Sequence, residues 1–263
     1  MNEKNPLISF VVVTHNRPPE LVLGRIIASI LKQNYPRKEL ILVGENCIFL
    51  DEIAKGLDKA KELENFLKIN IKEGKDKFCS WSLVARARNK GIDLAKGEYI
   101  CCQDDDNELD SDFCKNMLET IRSNNVKATW CWRKLVYPDG KEFSGNYFPW
   151  VRDDEKRRKI LYNIWKKAKI IEPNSAILKD NLFARKGSEH FSSVDPNEWL
   201  IHKDVFHHIR YRENYCHNQI MYHMTFDDLW DIDFCQSGFT AACCGKPLLT
   251  YYLGGASNTI CTE

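Results

Sequence analysis

An α/β fold, with a mostly parallel central sheet flanked by helices, is predicted from three features of the chain. Short β-branched runs alternate with helix-length stretches through the first half, which is the pattern of βαβ units. One run, Tyr99 to Cys102, reads as a buried strand and opens into the stretch GEYICCQDDDNE. That strand ends in three adjacent carboxylates, Asp104, Asp105 and Asp106, and ligands of open α/β sheets gather outside the carboxyl ends of the strands.

The elements follow in order. Ile8 to Val13 is a β-branched strand, followed by the polar turn Thr14-His15-Asn16-Arg17-Pro18-Pro19. Proline suits the first helical turn, and Leu21, Ile26, Ile27, Ile30 and Leu31 form the apolar stripe of a helix ending near Pro36. Leu40 to Val43 is a second strand, a helix is expected around Asp51 to Asn65, and Leu67 to Ile71 is a third strand. Ser82 to Ala95 is a helix leading into the Tyr99 strand, and a further helix is expected from Leu109. Beyond it, Ala128 to Val136 reads as a strand and Pro138-Asp139-Gly140 as a turn. Val151 to Ile171 is expected as a basic helix, then strands at Ser175 to Leu178 and Trp199 to Val205, then an acidic helix from Phe226. With no repeat or linker, residues 1–125 and 126–263 are expected to be two halves of one fold.

Composition limits the function classes. The formal net charge is +1, so no general attraction to nucleic acid is implied. There is no apolar leader at Met1, and no run approaches the ~18–20 apolar residues of a membrane span; a cytoplasmic protein is expected, at most attached peripherally at the inner face of the membrane. In the basic helix, Lys156, Arg157, Arg158, Lys159, Lys166 and Lys167 surround Ile160, Leu161, Ile164 and Trp165. Such a helix either covers the core with its charges solvated or rests on a membrane surface or lipid-linked acceptor. The 11 cysteines are odd in number, include the neighbours Cys101/Cys102 and Cys243/Cys244, and form no C-x-x-C pair; they are read as reduced and mostly buried.

The acidic triplet carries the chemistry. Adjacent carboxylates repel unless a positive charge sits among them, and Mg²⁺ or Mn²⁺ commonly uses one or two carboxylates together with substrate phosphates. The alternative is a solvated acidic turn at the start of a helix.

The run ARNKGIDLAKGEYICCQDDDN, Ala87 to Asn107, resembles the central motif of family 2 glycosyltransferases, and the SpsA-type members in particular. The THNR turn after the first strand, KQNYP and ELILVGEN fall in the family's order. The resemblance implies a GT-A fold, a Rossmann-like nucleotide-diphospho-sugar transferase architecture. It also implies a divalent metal (Mn²⁺ or Mg²⁺) and a nucleotide-sugar donor. By position, Thr14, His15 and Asn16 would lie against the nucleotide, and Glu45, where the family usually has Asp, would hold base or ribose. Arg88 would face the diphosphate with Arg86 in reserve. Asp105 would touch ribose or metal, Asp106 would be the main metal ligand, and Asp104 a turn residue.

An inverting transfer also needs a base beside the acceptor hydroxyl. In TFDDLWDIDFC, Thr225 to Cys235, Asp227 and Asp228 lie four and three residues before Asp231 and share its helical face; the family's acceptor motif matches Asp231 as that base, with Asp228 as the alternative. Trp230 stands where Glu is customary, and Ser237 and Phe239 stand where arginines are customary. Two smaller clusters stay open between structural and functional use. One is His202, His207, His208, Cys216, His217 and His223, whose spacing matches no closed zinc pattern. The other is Trp199, Tyr222 and Trp230, able to stack on sugars or to fill the core.

The resulting expectation is a metal-dependent inverting glycosyltransferase that moves one sugar from a UDP- or other NDP-linked donor to an acceptor hydroxyl, a glycan or small molecule, in cell-surface glycan synthesis. The competing readings are a nucleotidyltransferase and a non-catalytic nucleotide- or sugar-binding module.

Overall fold

The computed structural model describes residues 5–57, 60–72, 80–151, 154–182, 184–186, 189–221 and 224–255. Strand β1 (Ile8–Thr14) feeds a helical run made of α1 (Pro19–Val22), a π-helical turn (Leu23–Ile27) and α2 (Ala28–Leu31). Then come β2 (Lys38–Glu45), α3 (Leu50–Lys55), β3 (Asn65–Ile71), α4 (Ser80–Leu94), β4 (Tyr99–Asp104), β5 (Glu108–Leu109) and α5 (Phe113–Asn124). The second half contains β6 (Ala128–Val136), α6 (Glu155–Lys167), β7 (Ile177–Leu178), and a separate hairpin of β8 (Ala184–Lys186) and β9 (Glu189–Phe191). It closes with β10 (Trp199–His202), α7 (Lys203–His208), α8 (His217–Met221), α9 (Phe226–Gln236) and β11 (Ala241–Tyr252).

One sheet in the order β3-β2-β1-β4-β10-β6-β11-β5 runs through both halves, with β7 on β6. Strands β3, β2, β1 and β4 are parallel, β10 is antiparallel to both its neighbours, and β11 is parallel to β6. Alternation along β1 explains the layers. Ile8, Phe10 and Val12 join one core with the α1–α2 run and α5, whereas Val11 and Val13 join the other with α4 and α9. Each such fully buried side chain contributes about 1.5–3 kcal/mol. Helix α4 comes close to the sheet at Gly91, where an added Cβ would sit 2.2 Å from Val11 Cγ1; any larger residue there would push the helix off β1.

Several boundaries differ from the sequence reading. No helix starts at Leu109: Glu108 and Leu109 pair with Thr250 and Leu249 of β11, and the helix begins at Phe113. The strand expected to reach Val205 stops at His202, whose Nδ1 accepts from the Asp204 amide at 3.2 Å and so caps α7. Helix α3 ends at Lys55, well short of Asn65, which already pairs in β3. The basic helix is also shorter than Val151–Ile171. It starts at the Asp154 cap, which accepts from the Arg157 amide at 2.8 Å. It ends before Lys169, which adopts a left-handed backbone with φ 60°. Ile170 and Ile171 continued its apolar pattern because they are core residues of the following loop.

Within α6 no residue is fully buried. Trp165 packs on Phe148 (4.9 Å between ring centroids) and Trp150 (5.6 Å), and Ile160 is half exposed. Arg152 lies outside the described residues. Among the described residues no helix is long and apolar enough to cross a membrane. The described cysteines are all free thiols; Cys47, Cys101, Cys102, Cys114 and Cys131 are buried, and Cys216 and Cys235 are exposed.

Candidate active site

The carboxyl ends of β1, β2 and β4 gather the residues expected to face the donor. The register pairs Val13 with Asp104, which sets Thr14 and Asp105 side by side one residue further on. Thr14 Oγ1 donates to Asp105 Oδ2 at 2.7 Å, and both residues are buried. Asn16 turns the chain out of the strand with φ 46°, and its Oδ1 accepts from the Ile48 amide at 2.9 Å. His15 Nδ1 donates to the Glu45 carbonyl at 2.6 Å, which fixes the proton on that nitrogen. Glu45 itself is buried at the end of β2, and burial pushes its carboxyl up while the His15 ring opposes the shift. Thr14, His15, Asn16 and Glu45 are thus brought together at the ends of β1 and β2.

The three acids divide their partners. Asp104 accepts from Arg88 Nη2 at 2.5 Å on one oxygen and from Asn197 Nδ2 at 2.8 Å on the other. Asp105 holds Thr14, and Arg17 Nε lies 3.3 Å from its Oδ1. Asp106 accepts from Arg17 Nη2 at 2.6 Å. Burial pushes Asp106 up to about 7, with the neighbouring carboxylates adding to the shift and Arg17 opposing it.

Arg88 corrects the sequence reading. It is fully buried, with its guanidinium 4.8 Å from the Phe226 ring centroid and 5.5 Å from that of Tyr211. It holds the acidic loop through Asp104 at the end of β4. Its reserve, Arg86, pairs with Glu213 at 3.3 Å. Asp104, expected as a turn residue, is the anchor that Arg88 and Asn197 hold.

Among the described residues no group of three or more His, Cys, Asp or Glu converges to hold a metal. The donor set still fits a hard divalent cation, because Asp105 and Asp106 offer adjacent carboxylate oxygens and two carboxylates with phosphates suffice for Mg²⁺ or Mn²⁺. Asp104 has both oxygens engaged.

On the other side of the site, α9 carries the acceptor-side candidates. Thr225 caps it in a reciprocal capping box, and Asp228 Oδ2 accepts from the Thr225 amide at 2.9 Å. Asp228 is exposed and spent on that cap. Asp227 is half-buried; burial pushes it up to about 7, and the negative charges of Asp228 and Asp195 add to the shift. Asp231, one turn on, is 5 % exposed. Burial drives its carboxyl well above the usual range, opposed by a hydrogen bond from Ser192 and reinforced by Asp227. The acid that shares the inner face with Asp231 is therefore Asp227, and Asp228 turns away from it.

The loop joining these two sides was not singled out in the sequence. Asp195-Pro196-Asn197-Glu198 forms a 3-10 turn with its own capping box. Asn197 Nδ2 donates to Asp195 Oδ1 at 2.5 Å as well as to Asp104. Behind it, buried Arg133 donates to Asp195 at 2.7 Å and lies 3.1 Å from Asp180. Glu198, fully buried beside Asp180, is pushed well up by burial and by that neighbour's charge. Two signals marked the region: D-P-N-E is a capping-box sequence, and a lone arginine within the apolar run Ala128 to Val136 demands a buried acid.

The open clusters resolve toward structure. Trp199 and Trp230 are 1 % and 2 % exposed, with ring centroids 5.3 Å apart, and fill the core. His202 caps α7, while His207, His208, Cys216 and His217 are exposed. Tyr222 and His223 lie outside the described residues. Asp233 pairs with Arg212, whose Nε donates to it at 2.7 Å.

With that geometry in place, comparison with known proteins becomes decisive. Residues 9–183, more than half of the chain, match the model of Glycosyl transferase family 2. The protein belongs to that family. Among curated relatives of this family 2 chain, glycosyltransferase GlyG of Streptococcus pneumoniae serotype 4 is 30 % identical over 148 residues, 56 % of this chain and 41 % of the relative. The GalNAc(5)-diNAcBac-PP-undecaprenol beta-1,3-glucosyltransferase of Campylobacter jejuni is 26 % identical over 201 residues, 74 % of this chain and 59 % of the relative. The family 2 chain thus spans about half the length of these relatives. The solved structure of S. aureus TarS 1-349 in complex with UDP superimposes with a TM-score of 0.58 at 13 % identity, covering 94 % of this chain and 60 % of that one. At that identity the likeness is one of fold, and the fold is the expected GT-A α/β architecture.

Proposed function

We propose that this family 2 protein is a metal-dependent inverting glycosyltransferase that moves a single sugar from a nucleoside-diphosphate donor to an acceptor hydroxyl in cell-surface glycan synthesis. The observation that carries the reading is the Asn197 bridge. It holds the acid Asp104 at the end of β4 and the loop acid Asp195 in one hydrogen-bonded unit, with Asp106 beside the first and Asp227 and Asp231 near the second. The family membership and the names of the relatives agree with it.

In this reading His15, Asn16 and Glu45 seat the nucleoside, and the buried Thr14–Asp105 pair gives the ribose or metal a preorganised carboxylate. Asp105 and Asp106 hold the divalent cation, which when bound stabilises the negative charge of the departing diphosphate. Asp227 is open enough to meet an acceptor and takes its hydroxyl proton. Burial and the charges of Asp228 and Asp195 keep that carboxyl basic. This assigns the base one turn before the position the sequence favoured, with Asp231 as its partner. The exposed cations of α6 add a peripheral contact with anionic membrane, one aromatic layer away from Arg133 through Trp165 and Trp150 (4.6 Å from guanidinium to ring centroid).

The test is a thermal-shift screen of nucleotide-sugars with and without Mn²⁺, followed by product analysis with the stabilising donor. A ligand that binds the folded state raises its melting temperature by mass action. Metal-dependent stabilisation followed by sugar transfer is expected. Stabilisation without metal-dependent turnover would leave a binding module, and release of pyrophosphate from a sugar phosphate and a nucleoside triphosphate would mark a nucleotidyltransferase.

A further inference from the structure

Arg17 occupies an unusual place. Its guanidinium bridges the two carboxylates assigned above to the metal, with Nε 3.3 Å from Asp105 Oδ1 and Nη2 2.6 Å from Asp106 Oδ2. The backbone fixes where the side chain starts. Asn16 before it is left-handed, and Pro18 after it restricts Arg17 to an extended conformation. The side chain remains 35 % exposed. Arg25 is committed elsewhere: its Nη1 donates to the Asp106 carbonyl at 3.1 Å and its guanidinium lies 3.6 Å from the Tyr252 ring centroid.

We infer that Arg17 is a resident counter-ion of the donor site, which holds Asp105 and Asp106 in the free protein and transfers to the nucleoside diphosphate when a divalent cation takes those carboxylates. The inference rests on the metal assignment made under the proposed function. A divalent cation that takes Asp105 Oδ1 and Asp106 Oδ2 competes with the guanidinium for those oxygens, and the two positive charges repel. Metal entry at those oxygens therefore weakens the hold of Arg17 on the two acids. The diphosphate that accompanies the metal offers a new partner within the reach of the same side chain, and the planar fork of arginine matches phosphate oxygens two at a time. The exchange keeps the acids compensated when no donor is present, and it couples metal binding to diphosphate binding through one side chain.

The test is Mn²⁺ titration of the full chain without nucleotide, by calorimetry or by electron paramagnetic resonance, for wild type, Arg17→Ala and Arg17→Lys. Arg17→Ala should bind Mn²⁺ about tenfold more tightly than wild type, because the competing cation is gone. It should also bind UDP about tenfold more weakly at saturating Mn²⁺, because the diphosphate has lost its partner. Arg17→Lys should fall between the two. If Arg17→Ala folds poorly, Arg17→Gln reads the same competition. Equal or weaker Mn²⁺ binding by the neutral variant, with wild type binding the metal, overturns the role of Arg17 and leaves the metal assignment standing. Failure of both proteins to bind Mn²⁺ overturns the two together.

Discussion

Asn197 and Asp104 exchange two hydrogen bonds: Asn197 Nδ2 donates to Asp104 Oδ2 at 2.8 Å, and the Asp104 amide donates to Asn197 Oδ1 at 2.5 Å. An amide side chain returns a donor from its nitrogen and an acceptor from its oxygen to this backbone–carboxylate pair. Asn197→Ala should cost about 2–3 kcal/mol in urea unfolding, since it strands buried polar groups at the end of β4. Asn197→Asp should cost more at neutral pH, because it sets a third carboxylate between Asp104 and Asp195. A loss below about 0.5 kcal/mol for the alanine variant would show that the bridge holds nothing in place.

The acceptor-side acids are separable by single substitutions. Asp227→Asn should lower turnover by ~10²–10⁴ with little change in donor affinity, the signature of a lost proton acceptor. Asp228→Asn should leave turnover near wild type and cost at most about 1 kcal/mol through the weakened cap. Should Asp231→Asn be the silent enzyme while Asp227→Asn works, the inner carboxyl is the base and the outer one supports it.

The same pair makes a pH prediction. The folded-state carboxyl of Asp227 sits near 7, above its ordinary value, so the native state keeps a proton that the unfolded chain gives up. Its contribution to stability is therefore full at acid pH and lost as pH rises through about 7. Asp227→Asn should flatten that slope, gaining stability over wild type at pH 8 and none near pH 4. Turnover of the wild type should rise through the same interval as the base ionises. Parallel pH–stability curves for the two proteins would refute the assignment.

Arg133, Asp180 and Glu198 form a buried set in which burial and the charge of Asp180 push the Glu198 carboxyl up. Glu198→Gln keeps the shape and the neutral charge of the protonated acid, and should change stability by less than about 1 kcal/mol. Arg133→Met leaves Asp180 and Asp195 without their cation and should cost about 3–5 kcal/mol. Denaturant titrations of the two variants decide; equal losses would mean that Glu198 is ionised.

Glu45→Ala should weaken binding of uridine as well as of UDP, by about 1–3 kcal/mol if its carboxylate holds base or ribose. Calorimetry with the nucleoside alone gives the answer, and unchanged uridine affinity would remove Glu45 from the pocket.

The donor half was legible because local rules and tertiary structure agree there. Strands β1, β2 and β4 are buried on both faces and carry short apolar runs, so their pattern survives without partners, and Thr14, Glu45, Asp105 and Asp106 sit where those strands end. The acceptor half was less legible. Its contacts are long-range, as in the pairing of Leu109 with Leu249, which no nearby residue announces. Arg88 was misplaced for a related reason: helical spacing fixes a side chain's direction around α4, but its depth depends on Phe226 and Tyr211, more than a hundred positions away. Asp227 and Asp228 are neighbours whose roles are divided by the Thr225 capping box, and adjacency alone does not say which of the two faces inward.

The π-helical turn Leu23–Ile27 sets the phase of everything that follows it. The Ala28 amide reaches back to the Leu23 carbonyl, one residue further than an α-helix allows. Removing a residue from this turn would restore regular winding and rotate the upstream face by about 100° relative to the downstream one. Ile26, Ile27 and Ile30 would then no longer all point into the sheet while Arg25 reaches the acidic loop. The extra residue works as an angular spacer: it lets one short helix serve the hydrophobic layer and the polar cleft at once, so this segment should tolerate exchanges of side chain far better than any change in its length.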